Sequence, residues 1–123
     1  MASLYRYGRL AIAAIDFDTM KQFYSKILQQ EPTRHIKDVY VEYQLPDLRI
    51  GLFKPRPDNR PEFMHDTRST ASIVLEVTDI DAAIKHFTSV GCTPGNVIDT
   101  FHGKEFYAYD PAQNRLIIHQ EKK

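Results

Sequence analysis

Five histidines, one cysteine and a few arginines, glutamates and tyrosines are the side chains in this 123-residue sequence able to do chemistry, and their spacing limits which chemistry. His35, His65, His86, His102 and His119 include no His-x-His or His-x-x-x-His pair, the spacings that set two imidazoles on one face of a strand or helix. His65 sits among prolines and charges, and His86 falls off the apolar side of a helical pattern, so both read as solvated or singly hydrogen-bonded. Cys92 lies between Gly91 and Thr93 with no lysine or arginine beside it to favour a thiolate. It reads as a small buried hydrophobe and, being single, forms no internal disulfide. No Ser-His-Asp set, phosphate-binding glycine loop or nucleotide fingerprint is present, since Gly8, Gly51, Gly91, Gly95 and Gly103 are scattered singly.

The elements that must position these residues are announced by a repeat. Ala14-Ile15-Asp16-Phe17-Asp18 and Val77-Thr78-Asp79-Ile80-Asp81 superpose when one is slid along the chain by 79 − 16 = 63 positions. Before each first aspartate the apolar residues alternate, Leu10, Ile12 and Ala14 in one copy and Ile73, Leu75 and Val77 in the other, which is the period of a half-buried strand. After it the period becomes helical, with Met20, Phe23, Tyr24, Ile27 and Leu28 answered by Ile80, Ala83, Ile84, Phe87 and Val90. Asp16 or Asp18, and Asp79 or Asp81, are suited to cap the helix starts, and Gly91 to end the second helix. Three more strands are expected in each copy, at 33–36, 39–45 and 48–53, then at 93–98, 104–109 and 115–119, with turns at Pro46-Asp47 and at 110–114. The order is βαβββ twice: a single domain over 1–123 with modules at 8–54 and 71–120. Residues 55–70, rich in proline and charge, are expected to form an extended linker.

Composition narrows the partners. Lysine plus arginine balances aspartate plus glutamate, 16 against 16, so no net field draws the chain to nucleic acid or an anionic membrane. Apolar residues reach 42%, enough for an ordered core. The first eight residues lack the apolar run of a signal peptide, and no stretch approaches the roughly 20 apolar residues of a spanning helix. The expected location is cytoplasmic.

Two βαβββ units in tandem, with Asp79-Ile80-Asp81-Ala82-Ala83-Ile84 after the fifth strand and Tyr109-Asp110-Pro111-Ala112-Gln113-Asn114 before the eighth, resemble the vicinal-oxygen-chelate superfamily of glyoxalases, bleomycin-resistance proteins and extradiol dioxygenases. The resemblance covers about residues 8 to 120. It implies an α+β fold of the glyoxalase/bleomycin-resistance/dihydroxybiphenyl dioxygenase type, with mixed sheets curled around cavities, helices packed outside, and frequent homodimers. In metal-dependent members the ligands come from the start of the first strand and from the last strand of each module, four positions filled by histidine, glutamate or glutamine. Strand parity carries those positions onto Arg9, Gly51, Ser72 and Ile117. Arginine stays protonated, glycine and isoleucine have no donor atom, and a lone serine hydroxyl is a poor ligand for zinc, nickel or iron. No metal or other cofactor is therefore expected. A metal enters only if a displaced site forms around Glu76, Glu105 or His119.

If the alternating apolar residues pack beneath the helices, Arg9, Arg49, Gly51, Phe53, Ser72, Val74, Glu76, Ile117 and His119 point the other way. A face built only for packing has little use for two arginines and a glutamate. Arg9, Arg49, Phe53, Ser72, Glu76, Tyr107 and His119 are accordingly the ligand-binding candidates, with Tyr107 and Glu76 as candidates for acid or base. The structural alternatives are an Arg9–Glu76 ion pair and a Phe106-Tyr107 strand pair without function. Tyr107 also resembles the substrate-facing tyrosine of the ring-cleaving dioxygenases. The first expectation is a metal-free protein binding a small organic molecule, acidic and partly aromatic. A glyoxalase- or dioxygenase-type enzyme is the second, and a protein-interaction module the third.

Overall fold

In the computed structural model, which describes residues 4–64 and 69–122, the chain divides after Met64 into two compact units of matching order. The first holds β1 (Leu10–Ala13), α1 (Phe17–Ile27), β2 (Arg34–Ile36), β3 (Tyr40–Leu45), β4 (Leu48–Phe53) and a 3-10 helix, Arg60–Phe63. The second holds β5 (Ser72–Glu76), α2 (Ile80–Ser89), β6 (Ile98–Thr100), β7 (Gly103–Tyr109) and β8 (Arg115–Glu121). Each unit is one mixed four-stranded sheet, ordered β1-β4-β3-β2 and β5-β8-β7-β6. The first strand of each pairs parallel to the last, and the other pairings are antiparallel.

The helices start where the aspartates allow. Asp16 accepts from the Thr19 amide, and Asp79 accepts from the amides of Asp81 and Ala82, satisfying donors that the first helical turn leaves open. Each such cap is worth about 1 kcal/mol. Gly91, at φ +83, takes the left-handed conformation just past α2 that a residue with a side chain resists.

Under the helices lie the apolar faces of the strands. In the first unit Val41, Tyr43, Ile50 and Leu52 are fully buried, and the Tyr43 hydroxyl bonds Ser25 Oγ at 2.8 Å and the Lys21 carbonyl at 3.0 Å on α1. In the second, Phe106, Ala108, Leu116 and Ile118 are buried, with Phe87 of α2 edge-on to Phe106 at 5.4 Å. Fully burying a side chain of this size stabilises by about 1.5–3 kcal/mol, so these faces hold each helix to its sheet.

Two expectations are corrected. The sixth strand spans Ile98–Thr100 rather than 93–98, because Pro94 has no amide to donate and only the Gly95 amide reaches the neighbouring strand, at the Tyr107 carbonyl. The stretch 55–70 is not wholly extended. Its proline-started Arg60–Phe63 turn places Phe63 edge-on against Phe53 at 5.0 Å, so an aromatic contact ties part of it to the first sheet. His65 and its neighbours through residue 68 lie outside the described residues. No helix among the described residues is long and apolar enough to cross a membrane.

Candidate functional site

Strand register lines up the side chains on the face of each sheet opposite its helix, here termed the open face. In the second unit, pairing across β5, β8, β7 and β6 sets Glu76, His119, Glu105 and Ile98 in one row. Val74, Ile117 and Tyr107 form the next row, and Ser72, Arg115 and Tyr109 the third. In the first unit the corresponding rows are Ala13, Phe53, Tyr40 and Ile36, then Ala11, Gly51, Glu42 and Arg34, with Arg9, Arg49 and Gln44 beyond. The same architecture thus carries an apolar and aromatic row in one unit and an ionisable row in the other.

A hydrogen-bonded chain runs from this row into the β6–β7 turn. His119, 7% exposed, contacts Glu76 Oε1 through Nδ1 and, at 2.8 Å, His102 Nδ1 through Nε2. Thr100 Oγ1 donates to the Gly103 carbonyl at 3.0 Å and lies 3.2 Å from His102 Nδ1. For two neutral imidazoles, donor bookkeeping assigns the tautomers. With its hydrogen committed to Gly103, Thr100 accepts from His102 Nδ1–H, and that N–H also reaches His119 Nε2, while His119 donates from Nδ1 to Glu76. Glu105, half-buried, is the register partner of His119 on β7. One nitrogen or oxygen from each of His102, Glu105 and His119 lies within 4.8 Å of the others.

Gly103 makes this approach possible. A Cβ there would collide with the Gln120 carbonyl oxygen and come within 3.0 Å of His119 Nε2. Two of the histidines meet although no His-x-His or His-x-x-x-His spacing relates them. His102 and His119 meet through a turn and a hairpin register, which local spacing along one element does not reveal.

The first unit's open face is arranged differently. The Tyr40 hydroxyl donates to Glu42 Oε1 at 2.7 Å, and Glu42 is only 6% exposed. Burial, then the neighbouring Glu42 carboxylate, raises the Tyr40 pKa above its ordinary value, with Arg9 acting in the opposite direction. Tyr40 also lies across Gly51, where a Cβ would meet the phenol oxygen at 2.5 Å. Arg49 donates from Nε to Gln44 Oε1 at 2.8 Å and stacks its guanidinium 4.8 Å above the Tyr7 ring.

The sequence candidates are therefore distributed over two settings. Arg9, Arg49 and Phe53 lie on the first open face, and Ser72, Glu76, Tyr107 and His119 on the second. Arg9 is exposed, and its guanidinium acts on the Tyr40 phenol. Ser72 accepts from Arg115 Nη1 at 3.2 Å, and Glu76 is held by His119 of its own sheet. Phe106 and Tyr107 form a strand pair with one ring on each side: Phe106 is buried under α2, and Tyr107 is half-buried on the open face. Tyr40, Glu42 and His102 are the residues that sequence reasoning missed.

None of the four positions to which the resemblance assigns metal ligands fits a metal. Arg9 is a cation, Gly51 is roofed by Tyr40, Ser72 is engaged by Arg115, and Ile117 carries no donor atom.

The family model described as "Glyoxalase/Bleomycin resistance protein/Dioxygenase superfamily" matches residues 6–118. No curated protein matches the sequence. Among solved structures, a lactoylglutathione lyase from Agrobacterium tumefaciens is 19% identical at a TM-score of 0.71, covering 94% of this chain and 92% of its own. A glyoxalase-related enzyme from Fulvimarina pelagi is 13% identical at 0.75, with 96% and 89% covered. A genomically encoded fosfomycin resistance protein from Listeria monocytogenes is 12% identical at 0.77, with 98% and 94% covered. At these identities the likeness is one of fold.

Proposed function

Because the chain belongs to the glyoxalase/bleomycin resistance protein/dioxygenase superfamily, we propose that it binds a small organic acid on the open face of its first sheet, with no metal at the superfamily's usual ligand positions. One observation carries the reading: the side of this sheet away from α1 presents Arg9 and Arg49 in one row and Phe53 two rows on, together with the Tyr40–Glu42 pair, where a packing surface would present aliphatic groups. The Gln44 bond to Arg49 uses Nε, which fixes the guanidinium plane without engaging its terminal fork. A planar carboxylate suits such a fork, and its apolar body suits Phe53.

A calorimetric screen of aromatic carboxylates and their neutral amides tests this. Arg9→Met or Arg49→Met should weaken an acidic binder by about 1.5–3 kcal/mol, the scale of a hydrogen bond to a charged group, and should leave neutral analogues nearly unchanged. Acidic binders indifferent to both substitutions, or a screen returning only neutral and cationic binders, would sink the reading.

A second reading, an enzyme working by acid–base chemistry, is favoured by the Glu76–His119–His102 chain, in which a carboxylate orients an imidazole whose other nitrogen accepts. Turnover separates the two. A ligand recovered unchanged supports the first, and a chemical change lost in His119→Asn supports the second.

The proposal includes a homodimer. The open sheets end in edge strands β1, β2, β5 and β6, and Ile36, Val74 and Phe101 are 53%, 54% and 89% exposed. Sedimentation at tens of micromolar should give twice the 14.3 kDa chain mass. A single species at the chain mass removes this part.

A further inference from the structure

We infer that His102, Glu105 and His119 form a site for a divalent transition metal, zinc or a metal of similar preference, on the second unit's open face. These residues come from the turn before β7, from β7 and from β8. They share no position with Arg9, Gly51, Ser72 and Ile117, so the site is not the superfamily's set moved by a residue. It does not depend on the acidic-ligand reading of the first sheet.

Three observations carry it. Two imidazoles and one carboxylate place a donor atom each within 4.8 Å of the others, and this donor set suits zinc, iron or nickel far better than calcium or magnesium. His119 is 7% exposed, and Glu76 takes its Nδ1–H, so Nε2 keeps its lone pair and faces His102. A carboxylate behind a ligating histidine is the arrangement that fixes the tautomer and raises the basicity of the metal-facing nitrogen. Finally, the Gly103 contact and the Thr100 bonds bring an otherwise exposed turn histidine to a buried one, an approach that a merely solvated His102 does not require.

Closing on a metal asks for small movements. Ligand atoms about 2.0–2.1 Å from a tetrahedral zinc stand about 3.3 Å from one another. His102 Nδ1 and His119 Nε2, now sharing a hydrogen at 2.8 Å, part slightly, and Glu105 draws in. The hydrogen on His102 Nδ1 moves through water to its Nε2, so His102 stays neutral and nothing is oxidised or reduced. Three protein ligands leave a fourth position for water or another small ligand.

The test is titration of the full chain, freed of metal by chelator, with zinc by calorimetry and with cobalt by visible absorption. Expected are one equivalent per chain, a cobalt band of a four-coordinate site, and a rise in melting temperature with zinc. Glu76→Gln should weaken binding about 10- to 100-fold, His102→Ala and Glu105→Gln should weaken it more, and His35→Ala in the first unit should leave it unchanged. His102 is exposed and Glu105 only half-buried, so both variants should keep the wild-type circular dichroism that makes their loss interpretable. Binding below one equivalent, or one equivalent retained in both the His102 and Glu105 variants, overturns the site. Either result leaves the calorimetric screen of carboxylates unaffected.

Discussion

Tyr40 lies across Gly51 so closely that its ring occupies the volume of the side chain Gly51 lacks. This explains why the last strand of the first unit presents no ligand atom at that point of its open face. The space belongs to a phenol whose hydroxyl is committed to Glu42. Gly51→Ala should therefore cost about 1–3 kcal/mol, the scale of overpacking a filled site. In a Tyr40→Ala background most of that cost should vanish, a coupling of at least about 0.5 kcal/mol between the two positions. Denaturant unfolding of the four proteins in the cycle measures it, and strict additivity would show that the ring is free to move away.

His119 should be found as the Nδ1–H tautomer, because Glu76 can only accept from it. Long-range nitrogen–proton correlation spectra of the imidazoles read this directly. Glu76→Ala should shift His119 toward the mixture of tautomers of a free imidazole. It should cost only about 0.5–1.5 kcal/mol, the net worth of one hydrogen bond whose acceptor side chain is half exposed. A wild-type spectrum showing the Nε2–H form would break the assignment of donors through Thr100, His102 and His119.

Much of this was legible in the sequence where periodicity and turn chemistry agree. The 63-residue repeat places both helices, and Asp16 and Asp79 cap them. Alternation sends Glu76 and His119 to the open face. The Glu105–His119 pairing was also within reach: the turn joins Asp110 to Asn114, whose numbers sum to 224, and so do 105 and 119. What no local pattern shows is His102, which lies in a turn and reaches His119 only because Gly103 lets two backbones approach. Tyr40 over Gly51 is hidden for a similar reason, since a diagonal contact between neighbouring strands depends on a rotamer rather than on parity.

Stability should fall at alkaline pH. Burial raises the Cys92 thiol above its ordinary 9.0, partly opposed by a backbone hydrogen bond with Tyr109, and burial likewise raises the Tyr43 phenol above 10.0 against the Ser25 bond. Both groups are neutral when protonated, so as pH climbs past these ordinary values the unfolded chain ionises before the folded one. The stabilisation is complete below about pH 8 and is lost as pH rises through the folded values. Melting temperature should therefore drop between pH 8 and pH 11, and Cys92→Ala should flatten the earlier part of the fall. The same burial predicts slow native alkylation of Cys92 at pH 7.5 and fast alkylation in denaturant. Rapid native labelling would contradict the buried thiol.

Asp110 is 1% exposed, and its carboxylate accepts from the amides of Ala112 and Asn114 at 2.9 Å each and from Asn114 Nδ2 at 2.8 Å. Those bonds shape the β7–β8 turn and thereby set the register that brings Glu105 opposite His119. Asp110→Ala strips a buried set of donors of their acceptor. It should cost at least about 1.5–3 kcal/mol, the worth of one hydrogen bond to a charged group, lowering the melting temperature by about 5–15 °C in a chain of this size. Asp110→Asn keeps one carbonyl acceptor and should cost less. The structural consequence is more specific than the loss of stability: a turn that loses its tie lets β7 slip against β8, and a slip of one residue sends Glu105 to the helix side. Metal titration of Asp110→Ala at a temperature where it remains folded should therefore show weaker binding, although the residue itself touches neither histidine. Unchanged affinity in a folded variant would mean that β7 and β8 hold their register through side-chain packing alone.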